Sequence, residues 1–226
     1  MRTRTKVWLA VVGAVVAVGI AAFVWGPGLY ASWAAGKADA APTLDVDASA
    51  PVADPGTLDG LWVAQDGSYA GYRVDEVLTD ETVTVTGRTE QVQAEVTLDA
   101  GTLSAATVTV DMASIETDEP QRDAFFRDTA LSTDEFPTAT FELTEPATLS
   151  AGATRVELTG DLTVHGVTRP VSVMADLAQA DDGEVQVVGS VPITFEDFGV
   201  SSPSLGFVSV EDSGAIEFSL LLARAG

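Results

Sequence analysis

Apolar and polar residues alternate in twos along most of this 226-residue chain. Val83 and Val85 flank Thr84, and Val92, Ala94, Val96 and Leu98 are interleaved with Gln93, Glu95 and Thr97. Val108, Val110 and Met112 continue the pattern, as do Val156, Leu158, Leu162 and Val164, with Gly160 at one inward step. Val171, Val173, Ala175 and Leu177 form another run, and Ile216, Phe218, Leu220 and Leu222 the last. Successive strand side chains point to opposite faces, so this spacing predicts antiparallel strands with one buried and one wet face. The Val and Thr content suits a pleated surface. Turn signals separate the runs at Asp99-Ala100-Gly101, Ala151-Gly152, His165-Gly166, Asp181-Asp182-Gly183 and Asp212-Ser213-Gly214.

One stretch departs from period two. Thr117 to Leu131, TDEPQRDAFFRDTAL, predicts a short helix. Thr117 or Asp118 is placed to cap it, and Pro120 suits an early helical position. One short helix among eight or nine strands predicts an all-β fold, an antiparallel barrel with a helical flap. About eight strands enclose a lumen that is filled by side chains or holds one small ligand, and the period does not choose between them.

The pattern changes before Leu58. Val7 to Trp25 is an unbroken apolar or glycine run, which as a helix spans about 28 Å, close to a bilayer's hydrocarbon core. Arg2, Arg4 and Lys6 precede it and are expected to stay in the cytoplasm. Trp8 and Trp25 sit near its ends. The expected organisation is a cytoplasmic basic tail (1–6), a transmembrane helix (7–25), a flexible acidic Pro/Ala linker (26–57) and a β-barrel domain (58–226). The alternative is a cleaved signal, with small-residue sites such as Ala38-Asp39-Ala40 downstream. Either way the β domain is exported. The leading expectation is a single-pass protein of the cell membrane with that domain on the extracytoplasmic side.

Charge sharpens this division. No acid precedes Asp39, and the remainder carries all 34 acidic residues against seven arginines. Such a polyanion repels nucleic acid, because phosphate binding needs clustered cations. With no cysteine in the chain, disulfides, thiolate metal sites and thiol catalysis are excluded.

Few residues invite chemistry. His165 is the only histidine, and its place beside Gly166 between two alternating runs marks it as a hairpin-turn residue. Arg122 and Asp123 are read as tying the helix to the barrel end, with contact to a ligand head group at the barrel mouth as the other reading. Phe125, Phe126 and Phe141, with Phe136, form one aromatic-rich segment, and Phe195, Phe198 and Phe207 another. They fill the core or line a tunnel, as does Tyr72. The acidic stretch Asp176 to Glu184 lacks the ligand spacing of a calcium loop. No phosphate loop, paired-histidine motif or nucleophile elbow is found. No catalytic residue, metal site or cofactor is therefore assigned.

Three motifs carry a resemblance. They are Ala113-Ser114-Ile115 with Thr117 and Arg122-Asp123, then Phe136-Pro137 with Thr140-Phe141-Glu142, then Gly160 to Val171, GDLTVHGVTRPV. Together the domain resembles the YceI-like family of lipid- or polyisoprenoid-binding proteins, over about 58–224. The resemblance implies a lipocalin-like barrel whose apolar lumen takes an isoprenoid, a quinone or a fatty-acyl chain, lined by the aromatic candidates named above. The chain departs from the family at Phe195-Glu196-Asp197-Phe198-Gly199, where the family carries a basic residue, and at Trp62-Val63, which Ala64-Gln65-Asp66 follows. The partners implied are an apolar lipid and, through the N-terminal helix, a membrane. A homodimer is the further partner arrangement left open by the sequence. The alternative function is an envelope interaction or stress-response module with a filled barrel and no ligand.

Overall fold

A computed structural model of the protein describes residues 37–45, 51–52, 54–78, 81–180, 183–202, 204–205 and 208–226. The strands among them are β1 (Gly60–Ala64), β2 (Tyr69–Leu78), β3 (Glu81–Thr89), β4 (Val92–Asp99), β5 (Thr102–Asp111), β6 (Thr138–Leu143), β7 (Ala147–Thr148), β8 (Arg155–Val164), β9 (Val167–Gln179), β10 (Val185–Thr194), β11 (Ser204–Leu205) and β12 (Val208–Arg224).

Antiparallel pairing runs β1–β4–β5–β6–β8–β9–β10–β12, and β12 pairs back onto β1, which closes an eight-stranded barrel. The hairpin β2–β3 lengthens the wall beside this ring. Gly60 faces Leu98 in the β1–β4 pair and Ala70 faces Thr89 in the β2–β3 pair, so the four segments act as two long bent strands. The long β12 serves both, pairing through Ser219 with Tyr69 of β2 and through Arg224 with Trp62 of β1. Closure of this kind removes exposed sheet edges, except where the β9–β10 ladder stops short.

The alternation sets what faces inward. Val83, Val85, Ala94, Val96, Leu98, Val173, Ala175, Leu177, Leu220 and Leu222 are all buried. Two loops have the geometry their sequence demands. Ala100 and Gly101 join β4 to β5 with φ of 49° and 72°, and His165 and Gly166 join β8 to β9 with 51° and 71°. Positive φ at both central residues is the tight-hairpin conformation, so His165 is a turn residue. The Asp212–Gly214 signal is different: it is a bulge inside β12, where the register against β2 shifts between Val210 and Gly214.

The helix is shorter than its sequence suggests. An α-helical turn, α1 (Pro120–Phe125), runs into a wider π-type turn over Phe126–Ala130. Neither Thr117 nor Asp118 caps it; the N-cap is Glu119, whose side chain makes no capping bond. The bond runs the other way. Buried Asp123 accepts from the Thr117 backbone N–H at 2.9 Å and from its hydroxyl at 2.7 Å.

The expected transmembrane segment, 7–25, lies outside the described residues. Among the described residues no helix is long and apolar enough to cross a membrane. The stretch expected to be a flexible linker differs where it is described, because residues 37–45 are bonded to the barrel wall. The Asp39 N–H donates to the Thr86 hydroxyl at 2.9 Å and the Asp45 N–H to Gln186 Oε1 at 2.8 Å. Arg73 donates to the Asp39 carbonyl at 2.8 Å and also grips buried Glu217 at 2.7 Å. These bonds join residues 37–45 to polar groups on the outer face of β2, β3 and β10.

Inward aromatic rings sit over glycines of the neighbouring strand. Phe218 faces Gly189 across β12–β10 and Tyr72 faces Gly87 across β2–β3. A side chain at residue 189 would come within 2.5 Å of the Phe218 ring. Gly189→Ala is therefore expected to cost about 1–3 kcal/mol through overpacking. Combined with Phe218→Leu it should cost less than the two changes added, as read from denaturant unfolding of the four forms.

Candidate ligand site in the barrel interior

Two clusters of buried residues fill the barrel. One gathers Leu58, Trp62, Leu98, Leu103 and Leu222 toward the end that carries the β4–β5 turn, and the other gathers Met112, Ile115, Leu131, Val164 and Phe198 toward the helical end. Between and through them lies a cavity of about 160 Å³. Its wall draws on both clusters, from Leu58 and Trp62 to Val191 and Ile216, and Thr140 is the only residue in the lining with a polar side chain other than the Trp62 indole. That indole N–H is spent on the Leu58 carbonyl at 2.6 Å. An apolar cavity without polar partners does not hold water well, and it accepts apolar guests.

Each end is closed differently. At one, Trp62 is buried beneath the Arg224 guanidinium, 5.4 Å from its ring centre. Arg224 also donates to the carbonyls of Asp59 and Thr57, each at 2.6 Å. At the other, Tyr72 stacks on Phe126 with ring centres 5.1 Å apart. The two rings pack against the cluster that holds Ile115 and Phe198.

Above this stack is a small polar group. Arg122 reaches Asp118 at 2.7 Å and Glu76 at 3.6 Å. Burial pushes the Glu76 carboxyl above its ordinary range, with Arg122 opposing the rise. Burial likewise raises the Tyr72 phenol, against a lowering influence from Arg122. Among the described residues, no group of three His, Cys, Asp or Glu side chains is placed to hold a metal ion.

The residues singled out from the sequence are thus dispersed. Phe141 lines the cavity and covers Gly160, where a side chain would come within 2.5 Å of its ring. Tyr72, Phe126 and Phe198 pack in the closure of the helical end, outside the lining. Phe195 covers Gly214. Phe125 is half-buried on α1. Phe207 lies outside the described residues. Arg122 stands over the helical end in its ion pairs, and Asp123 ties α1 to the preceding loop. Most of the lining is aliphatic: Val108, Val156, Leu177 and Leu220 were legible only as inward steps of the alternation, and Ala106 and Val185 join them in the structure.

A closed antiparallel barrel around an apolar interior defines the class of fold. The YceI-like domain model matches residues 62–222, and the chain belongs to that family. It is 36% identical over 99 residues to a UPF0312 protein of Pseudomonas aeruginosa strain LESB58, a match covering 41% of this chain and 50% of that one. It is 32% identical over 124 residues to a UPF0312 protein of Shewanella denitrificans, covering 51% and 64%. The chain thus spans about half to two thirds of the length of these curated relatives. Among solved structures, the fold is similar to Burkholderia cenocepacia BcnA, with TM-score 0.55, 24% identity and coverage of 68% of this chain and 96% of that one. It is also similar to a polyisoprenoid binding domain from Saccharophagus degradans implicated in plant cell wall breakdown, with TM-score 0.56, 16% identity and coverage of 74% and 99%. At these identities the likeness concerns the fold.

The raised Glu76 carboxyl has a measurable sign. A carboxyl whose folded-state value lies above its unfolded value destabilises the fold while charged, and the penalty fades as pH falls through the folded value. Glu76→Gln mimics the protonated form. The Tm difference, variant minus wild type, is expected to be more positive at pH 7 than at pH 4, a comparison in which the general repulsion among the other acids largely cancels.

Proposed function

We propose that this protein holds one long apolar chain, of isoprenoid, quinone or fatty-acyl type, inside its barrel, outside the cytoplasmic membrane and tethered to it through the 7–25 segment. The observation that carries this reading is the apolar cavity shared by both core clusters. At about 24 cal/mol per Å³, leaving 160 Å³ of apolar space empty costs about 4 kcal/mol, which a guest recovers. Each buried methylene adds roughly 0.8 kcal/mol. Binding of this kind needs no catalytic group, and the reading is of a binding protein rather than an enzyme. The polyisoprenoid-binding description of the Saccharophagus domain supports the choice of ligand class. The tether is supported by the basic residues Arg2, Arg4 and Lys6 directly before the apolar run.

A second reading, an envelope interaction module with a filled barrel, draws on the cavity's size. At 160 Å³ it is smaller than the roughly 300–1,000 Å³ of common ligand pockets. A long chain must therefore displace side chains as it enters.

Native mass spectrometry of the chain, purified in detergent and then stripped of it, separates the readings. The expected spectrum shows the protein with one apolar molecule, released on denaturation. Ala106→Phe, which fills the lumen, should remove the extra mass while the chain stays folded. An unliganded mass alone, together with no Tm rise on adding farnesol or oleic acid, contradicts ligand binding and favours the filled barrel.

A further inference from the structure

The wall of the barrel has a seam between β9 and β10, where the pairing is short for the length of the two strands. β9 pairs with β8 from Val167 to Asp176, and β10 pairs with β12 along its whole length, Val185 to Thr194. Between β9 and β10 the ladder runs only from Asp176 to Gln179 against Val188 to Val185. Beyond that point the two strands have no ladder between them among the described residues. Each open edge carries a proline, Pro170 on β9 and Pro192 on β10, and proline has no N–H to give to a neighbouring strand. Met174, 54% exposed, sits on the β9 edge next to the last ladder residues.

The seam is stoppered from within. The 3₁₀ turn Phe195–Phe198 follows β10 directly, and its Phe198 is buried against the cluster holding Val173 and Val191. Two side chains of the β8–β9 hairpin hold the turn by its carbonyls. Arg169 Nε donates to the Asp197 carbonyl at 2.9 Å, and His165 Nδ1 lies 3.4 Å from that of Phe198. These are residues of the same GDLTVHGVTRPV stretch that the sequence marks out.

Outside the stopper lies a groove of about 770 Å³ of mixed character, whose lining includes Val171, Pro192, Ile193 and Phe198 together with the charged Arg73, Asp75 and Arg169. The lumen is lined by Val173 and Val191. Groove and cavity thus occupy successive inward positions of the same two strands, with Phe198 between them.

We propose that the β9–β10 seam is the port by which an acyl or isoprenoid chain passes between the outer groove and the lumen, with Phe198 as its stopper. The chain reaches the groove first, displaces Phe198, and slides inward past Val171 and Val173. The helical end and the Trp62 end stay shut during the passage. This rests on the lumen-binding reading above.

The test bridges the seam. Continuing the register of the short ladder puts Ser172 opposite Pro192, and both side chains are exposed. The chain has no cysteine of its own, so Ser172→Cys with Pro192→Cys gives a single pair for a short bismaleimide. Uptake of cis-parinaric acid is followed by its fluorescence, before and after bridging of the folded protein. Bridging is expected to slow uptake by roughly tenfold or more if the port must open for passage, and Phe198→Ala in the unbridged protein to speed it. A control bridge between Thr163→Cys and Thr168→Cys, whose hydroxyls are 2.8 Å apart on the intact β8–β9 ladder, should leave the rate unchanged. Equal rates with and without the seam bridge overturn the port and leave the lumen reading standing. No uptake by the unbridged protein overturns both.

Discussion

Phe218 lies where it does only because residue 189 has no side chain. The same holds for Tyr72 over Gly87 and Phe141 over Gly160. A strand interior normally loses stability at glycine, and an aromatic ring on the adjacent strand offsets that loss by covering the bare backbone. In a closed barrel this has a second effect. Each large ring is drawn onto the wall, so the interior between the rings is bounded mostly by Val, Leu and Ala. The apolar cavity and the position of Tyr72 in the closure of its helical end follow from where these rings can lie.

Much of this could be read in the chain. The period-two runs located β3, β4, β5, β8, β9 and β12, and His165-Gly166 and Ala100-Gly101 located their hairpin turns. β10 was harder to see, because Gly189 and Pro192 interrupt its alternation. The Asp212–Gly214 signal could not show that it marks a bulge, since a bulge and a turn both draw on Asp, Ser and Gly. The GDLTVHGVTRPV stretch pointed to the family with a specificity that periodicity alone lacks.

The candidate site was legible in kind but not in detail. Aromatic residues were the natural tunnel candidates by chemistry, yet of those described only Phe141 lines the cavity. The reason is geometric: Phe126 and Phe198 lie on helical turns at one end of the barrel and Tyr72 stacks on Phe126, so burial puts these rings in the closure and not in the lining. Asp123 was foreseen as a tie between helix and loop, but its bonds to Thr117 could be seen only in three dimensions. The docking of residues 37–45 was hidden for a related reason. Their composition reads as a spacer, while the groups that hold them, Arg73, Thr86 and Gln186, are outward residues of distant strands.

The outer surface and the interior therefore have separate tasks. Residues 37–45 bond to outward polar groups of the wall, whereas the interior is reserved for apolar contact. That reservation is the central claim, and its most direct test is a crystal of the protein soaked with a terminally brominated alkyl chain. Anomalous scattering from the bromine is expected inside the barrel, within the ring formed by Val108, Val173 and Leu220. Bromine found only on the outer surface, with the lumen unchanged, would contradict it.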